Sequence, residues 1–126
     1  MSDTSIMKIE IHEHDGNKIA EVIADQVLIT NAEDSLQILV DLYYQDFDKI
    51  ILHEKNISAD FFDLKSKLAG EILQKFSNFR VRLAIVGDFS KYPGQSIKDF
   101  IFESNKDRQI NFMTSLADAK NKLFAQ

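Results

Sequence analysis

The chain has 126 residues, 44% of them apolar and 28% charged, with no cysteine and a formal net charge of −5. That length and composition suit one soluble globular unit, able to take about two-thirds of its unfolded surface out of water without a disulfide or structural metal. They exclude thiol catalysis, thiolate-held zinc, iron–sulfur clusters and intrinsic disorder, and they argue against a nucleic-acid affinity that rests on neutralising phosphates.

Along the chain, residues 7–13 alternate, with Met7, Ile9 and Ile11 on one face and Lys8, Glu10 and His12 on the other. This pattern predicts a half-buried strand. Asp15-Gly16 supplies a tight hairpin turn, and residues 18–24 return as an antiparallel partner. Thr30 stands three residues before Glu33, the capping-box spacing, and opens a helix with Leu36, Leu39, Val40 and Tyr43 as its buried stripe. Residues 49–53, KIILH, form an apolar run without alternation, as expected of a central parallel strand covered on both faces. Ser58 is placed to cap a second helix, with Asp60 and Asp63 in its first turn and Phe61, Leu64, Leu68, Ile72 and Phe76 inward. Within that helix Gly70 reads as a close-packing contact against the sheet. Residues 80–87, RVRLAIVG, give the strongest strand pattern, and a loop carrying the sole proline, Pro93, follows. Ser96 with Asp99 predicts a third helix, residues 109–113 a last strand, and Ser115 with Asp118 a short final helix facing Leu116, Ala119 and Leu123 inward.

The resulting order is β β α β α β α β α. It predicts an α/β domain with a mixed, mainly parallel five-stranded sheet and about four helices, spanning residues 1–126 with 1–6 as a flexible tail. Residues 1–46 carry ten acidic side chains against Lys8 and Lys18, a local charge of −8, whereas residues 47–126 carry +3. Such a split reads first as an ordinary solvated surface, and as the alternative suits head-to-tail pairing of two copies or a basic partner. The start MSDTSIMKIE lacks a basic segment followed by an apolar one, and no apolar run approaches about 20 residues. A cytoplasmic protein with no membrane and no nucleic-acid partner is expected.

In open α/β sheets ligands bind beyond the carboxyl ends of the strands. That rule gathers Glu54, Lys55, Asn56 and Ser58 after the third strand, and Asp88, Ser90, Lys91 and Tyr92 after the fourth, with Asp25 from the second. A carboxylate, a lysine and a hydroxyl there could hold a phosphate, or make Ser58 a phosphoacceptor. The plainer alternative makes Ser58 a helix cap, Asp88 a turn residue and Lys91 a solvated charge. His12 and His14 share a face of the first strand, with Glu10 beside them, but two ligands do not make a metal site, and His53 lies on another strand. His53 reads as a partly buried structural residue before a general base. No G-x-S-x-G elbow, phosphate loop, G-x-G-x-x-G or H-E-x-x-H occurs, so no cofactor or metal is called for. Phe61, Phe76, Phe100, Phe112 and Phe124 fall on predicted core faces. Phe62, Phe79, Phe89, Phe102 and Tyr92 fit less well, and exposed together they would make an apolar contact patch.

Two stretches, FFDLKSKLAGEILQKFSNFRVRLAIVGDFSKY at 61–92 and SIKDFIFESN at 96–105, resemble a bacterial family, domain of unknown function 4180 (DUF4180), over residues 7–123. The resemblance implies no activity, cofactor or catalytic residue. The element order is also similar to the STAS domains of sulfate transporters and anti-sigma-factor antagonists, whose phosphorylated serine opens the helix after the third strand. Ser58 stands at the corresponding place, in a segment, NISADFF, that departs from the Asp-x-Ser-Gly pattern of those domains. The sequence thus points to a non-enzymatic interaction or regulatory module, with an unknown protein partner or a homodimer. The alternative is an anion-binding protein or enzyme using the same loops.

Overall fold

The computed structural model describes residues 7–125. The expected tail, 1–6, lies outside the described residues. Five strands, β1 (Lys8–His14), β2 (Asn17–Ile23), β3 (Lys49–His53), β4 (Arg82–Val86) and β5 (Ile110–Met113), stand side by side in sequence order. β1 pairs antiparallel with β2, and every later neighbour is parallel. The hairpin turn is the Asp15-Gly16 pair, both residues at positive φ (51° and 81°), the conformation that Asp-Gly adopts most readily. Helices α1 (Ala32–Tyr43), α2 (Leu68–Phe79) and α3 (Gln95–Lys106) link the parallel strands, and α4 (Leu116–Phe124) follows β5.

Because each crossover steps to the next strand in one direction, a constant hand carries α1, α2 and α3 to the same face. Alternation along the strands separates the two cores. Ala20, Val22, Ile50, Leu52, Leu83 and Ile85 meet Leu39, Leu42, Ile72, Phe76 and Ile97 on the three-helix face. The opposite face holds a small cluster of Ile19, Ile51 and Ala84 under Ala119 and Leu123 of α4. One helix cannot cover five strands, so the β1–β3 side of that face is left to polar residues.

Several local expectations shift. The first helix is capped by Asn31, whose Oδ1 accepts the Asp34 N–H at 2.8 Å, while the Asp34 carboxylate accepts the Thr30 N–H and Oγ–H, both at 2.9 Å. The reciprocal box therefore exists with Asp34 as its acid in place of Glu33. Tyr43 is 42% exposed beside Tyr44 and so leaves the buried stripe. The second helix begins ten residues after Ser58, because two 3₁₀ turns (Ala59–Phe62 and Leu64–Ser66) intervene. Their side chains compete for the backbone: Ser58 Oγ and Asp63 Oδ1 accept N–H groups two residues on, and Ser66 Oγ–H donates to the Asp60 carbonyl. Arg80, expected in a strand, instead ends α2 in the left-handed conformation (φ 57°). Ser96 caps nothing, since α3 starts behind Gly94 (φ 104°), whereas Ser115 Oγ accepts the Asp118 N–H as expected. Gly70 makes no close contact with the sheet and opens onto grooves along α2 near Phe100. Met7, just before β1, and Ile11 within it are exposed, and His12, from the face expected to be solvated, is half-buried.

Candidate functional site

Ligand crevices in open sheets form where the strand order reverses and adjacent crossovers diverge to opposite faces. Here the order never reverses, so the loops after β3 and β4 lie over one another. Glu54, first residue of a 3₁₀ turn (Glu54–Asn56), turns inward and is 7% exposed. Its carboxylate accepts a hydrogen bond from the Tyr92 hydroxyl and an ion pair from Lys91 Nζ at 2.7 Å. Gly87 is needed opposite, because any Cβ would strike the Glu54 side chain. Phe62 stacks on the Tyr92 ring at 4.2 Å and 14°. Burial, then the hydrogen bond to Glu54 and its negative charge, hold the Tyr92 hydroxyl well above the ordinary tyrosine range.

The other expected residues divide between scaffold and rim. Asn56, 1% exposed, donates from Nδ2 to the carbonyls of Ala24 and Gln26 at 2.8 Å each, and its backbone carbonyl accepts the N–H groups of Leu28 and Ile29. It pins the segment after β2. Ser58 joins the same staple through its N–H to the Ile29 carbonyl, with Oγ accepting from the Asp60 N–H at 3.2 Å. Asp88 accepts the Ser90 hydroxyl at 2.6 Å and N–H at 3.1 Å, and these bonds hold its carboxyl below the usual range. Lys55, Asp25, Asp88, Ser90 and Lys91 are exposed. Phe62, Phe89 and Tyr92 lie against one another, so no patch forms from them; of that doubtful group only Phe102, 64% exposed, faces solvent.

The most concentrated polar chemistry lies elsewhere, on the open face beside α4. Glu21 of β2 is 4% exposed and both its oxygens are engaged: Oε1 with His12 Nε2 of β1 at 2.8 Å, and Oε2 with His53 Nε2 of β3 at 2.7 Å. Burial pushes its carboxyl up, and the hydrogen bonds and charges of the two imidazoles outweigh that, leaving it below the ordinary value. Glu10 is the direct cross-strand partner of Glu21, and ligating atoms of Glu10, His12 and Glu21 lie within 4.8 Å of one another. Sequence reasoning weighed the histidines and Glu10 but passed over Glu21. A lone acid inside the apolar run IAEVIA was the available signal.

A family model described as Domain of unknown function (DUF4180) matches residues 14–123. The chain belongs to the DUF4180 family. The matched span contains Glu21, His53 and the whole Glu54–Tyr92 arrangement, while Glu10 and His12 precede it. No curated protein and no solved structure matches this DUF4180 chain, so its likeness to STAS domains is one of element order alone. Among the described residues no helix is long and apolar enough to cross a membrane.

Proposed function

We propose that the chain is a non-enzymatic interaction module of the bacterial cytoplasm, which meets a second protein or another copy of itself through the rim of Lys55, Ser58, Asp88, Ser90 and Lys91. The observation that carries this reading is the closure of Glu54 by Lys91 and Tyr92. General acid–base work needs a titratable group within reach of a substrate proton, and an anion site needs a free cation. Here the buried carboxylate is occupied, Lys91 is spent on it and Asp88 is committed to Ser90, which leaves the exposed Lys55, among the described residues, as a lone cation on an open rim. What faces outward is a firm surface of alternating charge, which suits recognition and steering of a charged partner. The absence of cysteine fits a reducing compartment.

Ser58 is the point where this surface would be switched. A phosphoryl group there adds a charge of about −1.5 to −2 next to Asp60 and would repel an acidic partner. The test is native mass spectrometry of the protein taken gently from its host, repeated with the double reversal Lys55→Glu and Asp88→Lys. A stoichiometric second protein or a dimer that vanishes in the variant supports the reading. A complex that survives the reversal, or a stoichiometric small molecule on a monomer, overturns it.

A further inference from the structure

We propose that the outer edge of β1 pairs antiparallel with the same edge of a second copy, joining the two sheets into one across a two-fold axis at Ile11. This surface is separate from the rim of the interaction reading, because β2 stands between β1 and the strands whose loops form that rim. The unequal treatment of the two sheet edges and the match of β1 to itself carry the inference.

A strand at a sheet edge presents unpaired N–H and C=O groups, which proteins commonly blunt or cover. β5, the far edge, is blunted from α3. Asn105 Oδ1 accepts the Phe112 N–H at 2.7 Å, Asn105 Nδ2 donates to the Phe112 carbonyl at 3.1 Å, and Ser104 Oγ–H donates to the Ile110 carbonyl at 2.8 Å. β1 has no such cover. It is seven residues long against four for β5, keeps an unbroken register with β2, and carries no proline or glycine. His14 and Asn17 flank the two-residue turn and so form a hydrogen-bonded pair, which directs the backbone groups of Lys8, Glu10, His12 and His14 at β2. Those of Ile9, Ile11 and Glu13 point away from the sheet, and among the described residues nothing else bonds to them. Ile11, at the middle of the strand, is 53% exposed.

An antiparallel pair that keeps like faces together and overlaps all seven residues has one register, with Ile11 opposite Ile11 of the second copy. In that register outward groups meet outward groups: Ile11 exchanges N–H and C=O with its counterpart, and Ile9 does so with Glu13 of the second copy. On the other face Glu10 comes opposite His12 of the second copy, and Lys8 opposite its His14, which is paired with Asp15 at 3.3 Å. Within one chain Glu10 directly opposes Glu21, and like charges so placed repel. The second copy brings an imidazole to the free side of Glu10. Moving the register by one step of the pleat sets Glu10 against Glu10 or His12 against His12 and shortens the overlap. Hydrogen-bond phase, apolar centre and charge thus select the same pairing.

The test uses the purified full chain. Sedimentation equilibrium should show a reversible dimer in the micromolar range, since one pair of strands makes an interface at the small end of the specific class. Ile11→Pro removes a donor that points outward, where an edge strand tolerates proline, and should leave a folded monomer by circular dichroism. Ile11→Lys sets two ammonium groups face to face and should weaken the dimer at least about 10-fold, which carries the test if the proline variant does not fold. The register is read by cross-linking, because the chain has no cysteine of its own. Under mild oxidation Ile11→Cys should link to itself, since directly opposed Cα atoms of a hydrogen-bonded pair stand about 5.5 Å apart, within disulfide reach. Ile9→Cys alone should not link, and should do so when mixed with Glu13→Cys. A monomer at every concentration, which would leave the edge to a strand of another protein, overturns the proposal. So does a dimer that keeps its affinity in Ile11→Lys, or cross-links in another register. The rim reversal Lys55→Glu with Asp88→Lys should leave this dimer intact. A homodimer that survives that reversal and is lost in the Ile11 variants belongs to β1 and is scored apart from any complex of the rim.

Discussion

Two carboxylates at the upper half of the sheet invite comparison, because Glu54 and Glu21 are both buried and both accept from two donors. Glu54 is held by a lysine and a tyrosine from a loop, side chains that can swing to water if the acid is lost. Glu21 is held by imidazoles on the two strands that flank its own, and neither strand can retreat without breaking the sheet. The first arrangement closes a gap between loops; the second builds an inflexible cluster of donor atoms. Equal numbers of partners thus produce a loop seal in one place and a rigid cross-strand polar cluster in the other, and the difference is where the partners are anchored.

The sharpest way to break this comparison is to truncate both acids. Glu21→Ala should cost about 3 kcal/mol in urea unfolding, because two imidazoles lose a buried partner, against about 1 kcal/mol for Glu54→Ala, whose donors can turn to solvent. Equal losses would remove the distinction. Next, Gly87→Ala should cost about 2 kcal/mol by overpacking against Glu54, and most of that cost should disappear in the double variant with Glu54→Ala, which a double-mutant cycle measures. Additive losses would mean that Gly87 is small for another reason.

Tyr92→Phe should cost about 1.5 kcal/mol at neutral pH, the range for a hydrogen bond to a charged group. It should also alter the alkaline limb. The folded state raises the Tyr92 pKa, so its contribution is complete below the unfolded value of about 10 and falls as pH rises beyond it. Thermal midpoints scanned upward from neutral pH should therefore decline less steeply above that value in the phenylalanine variant. Smallest of all, Lys91→Met should cost about 0.5 kcal/mol, since the lysine side chain is 55% exposed, and the loss should shrink in high salt. A salt-insensitive loss would instead assign the effect to the contact of the Lys91 ammonium with the Tyr92 ring, 5.5 Å from its centroid.

Much of the fold is legible because it is written in local patterns. The Asp15-Gly16 hairpin, the alternation of strands and helices, the Ser115 cap and the burial of Phe61, Phe76 and Phe112 all follow from period, propensity and turn chemistry. Local patterns fail where two local solutions compete: between residues 58 and 67, side-chain-to-backbone bonds defeat a helix whose apolar spacing is sound. The site was half legible. Glu54, Lys91 and Tyr92 were gathered by the strand-end rule and do meet, but the sequence offers no hint that they close on each other. Asn56, chosen as a ligand residue, turns its amide to the backbone that it staples.

The sequence by itself determined the succession of elements, the hairpin and which residues are apolar enough to be inside, since these depend on neighbours within a turn or two. Only the tertiary structure decided that three crossovers share one face, that one helix alone guards the other, and that His12 and His53 reach Glu21 from the strands on either side. Register and strand order are relations between segments up to 33 residues apart, as for Ile50 and Leu83. They are set by how the whole sheet buries its two faces, and no local pattern within any one segment records them.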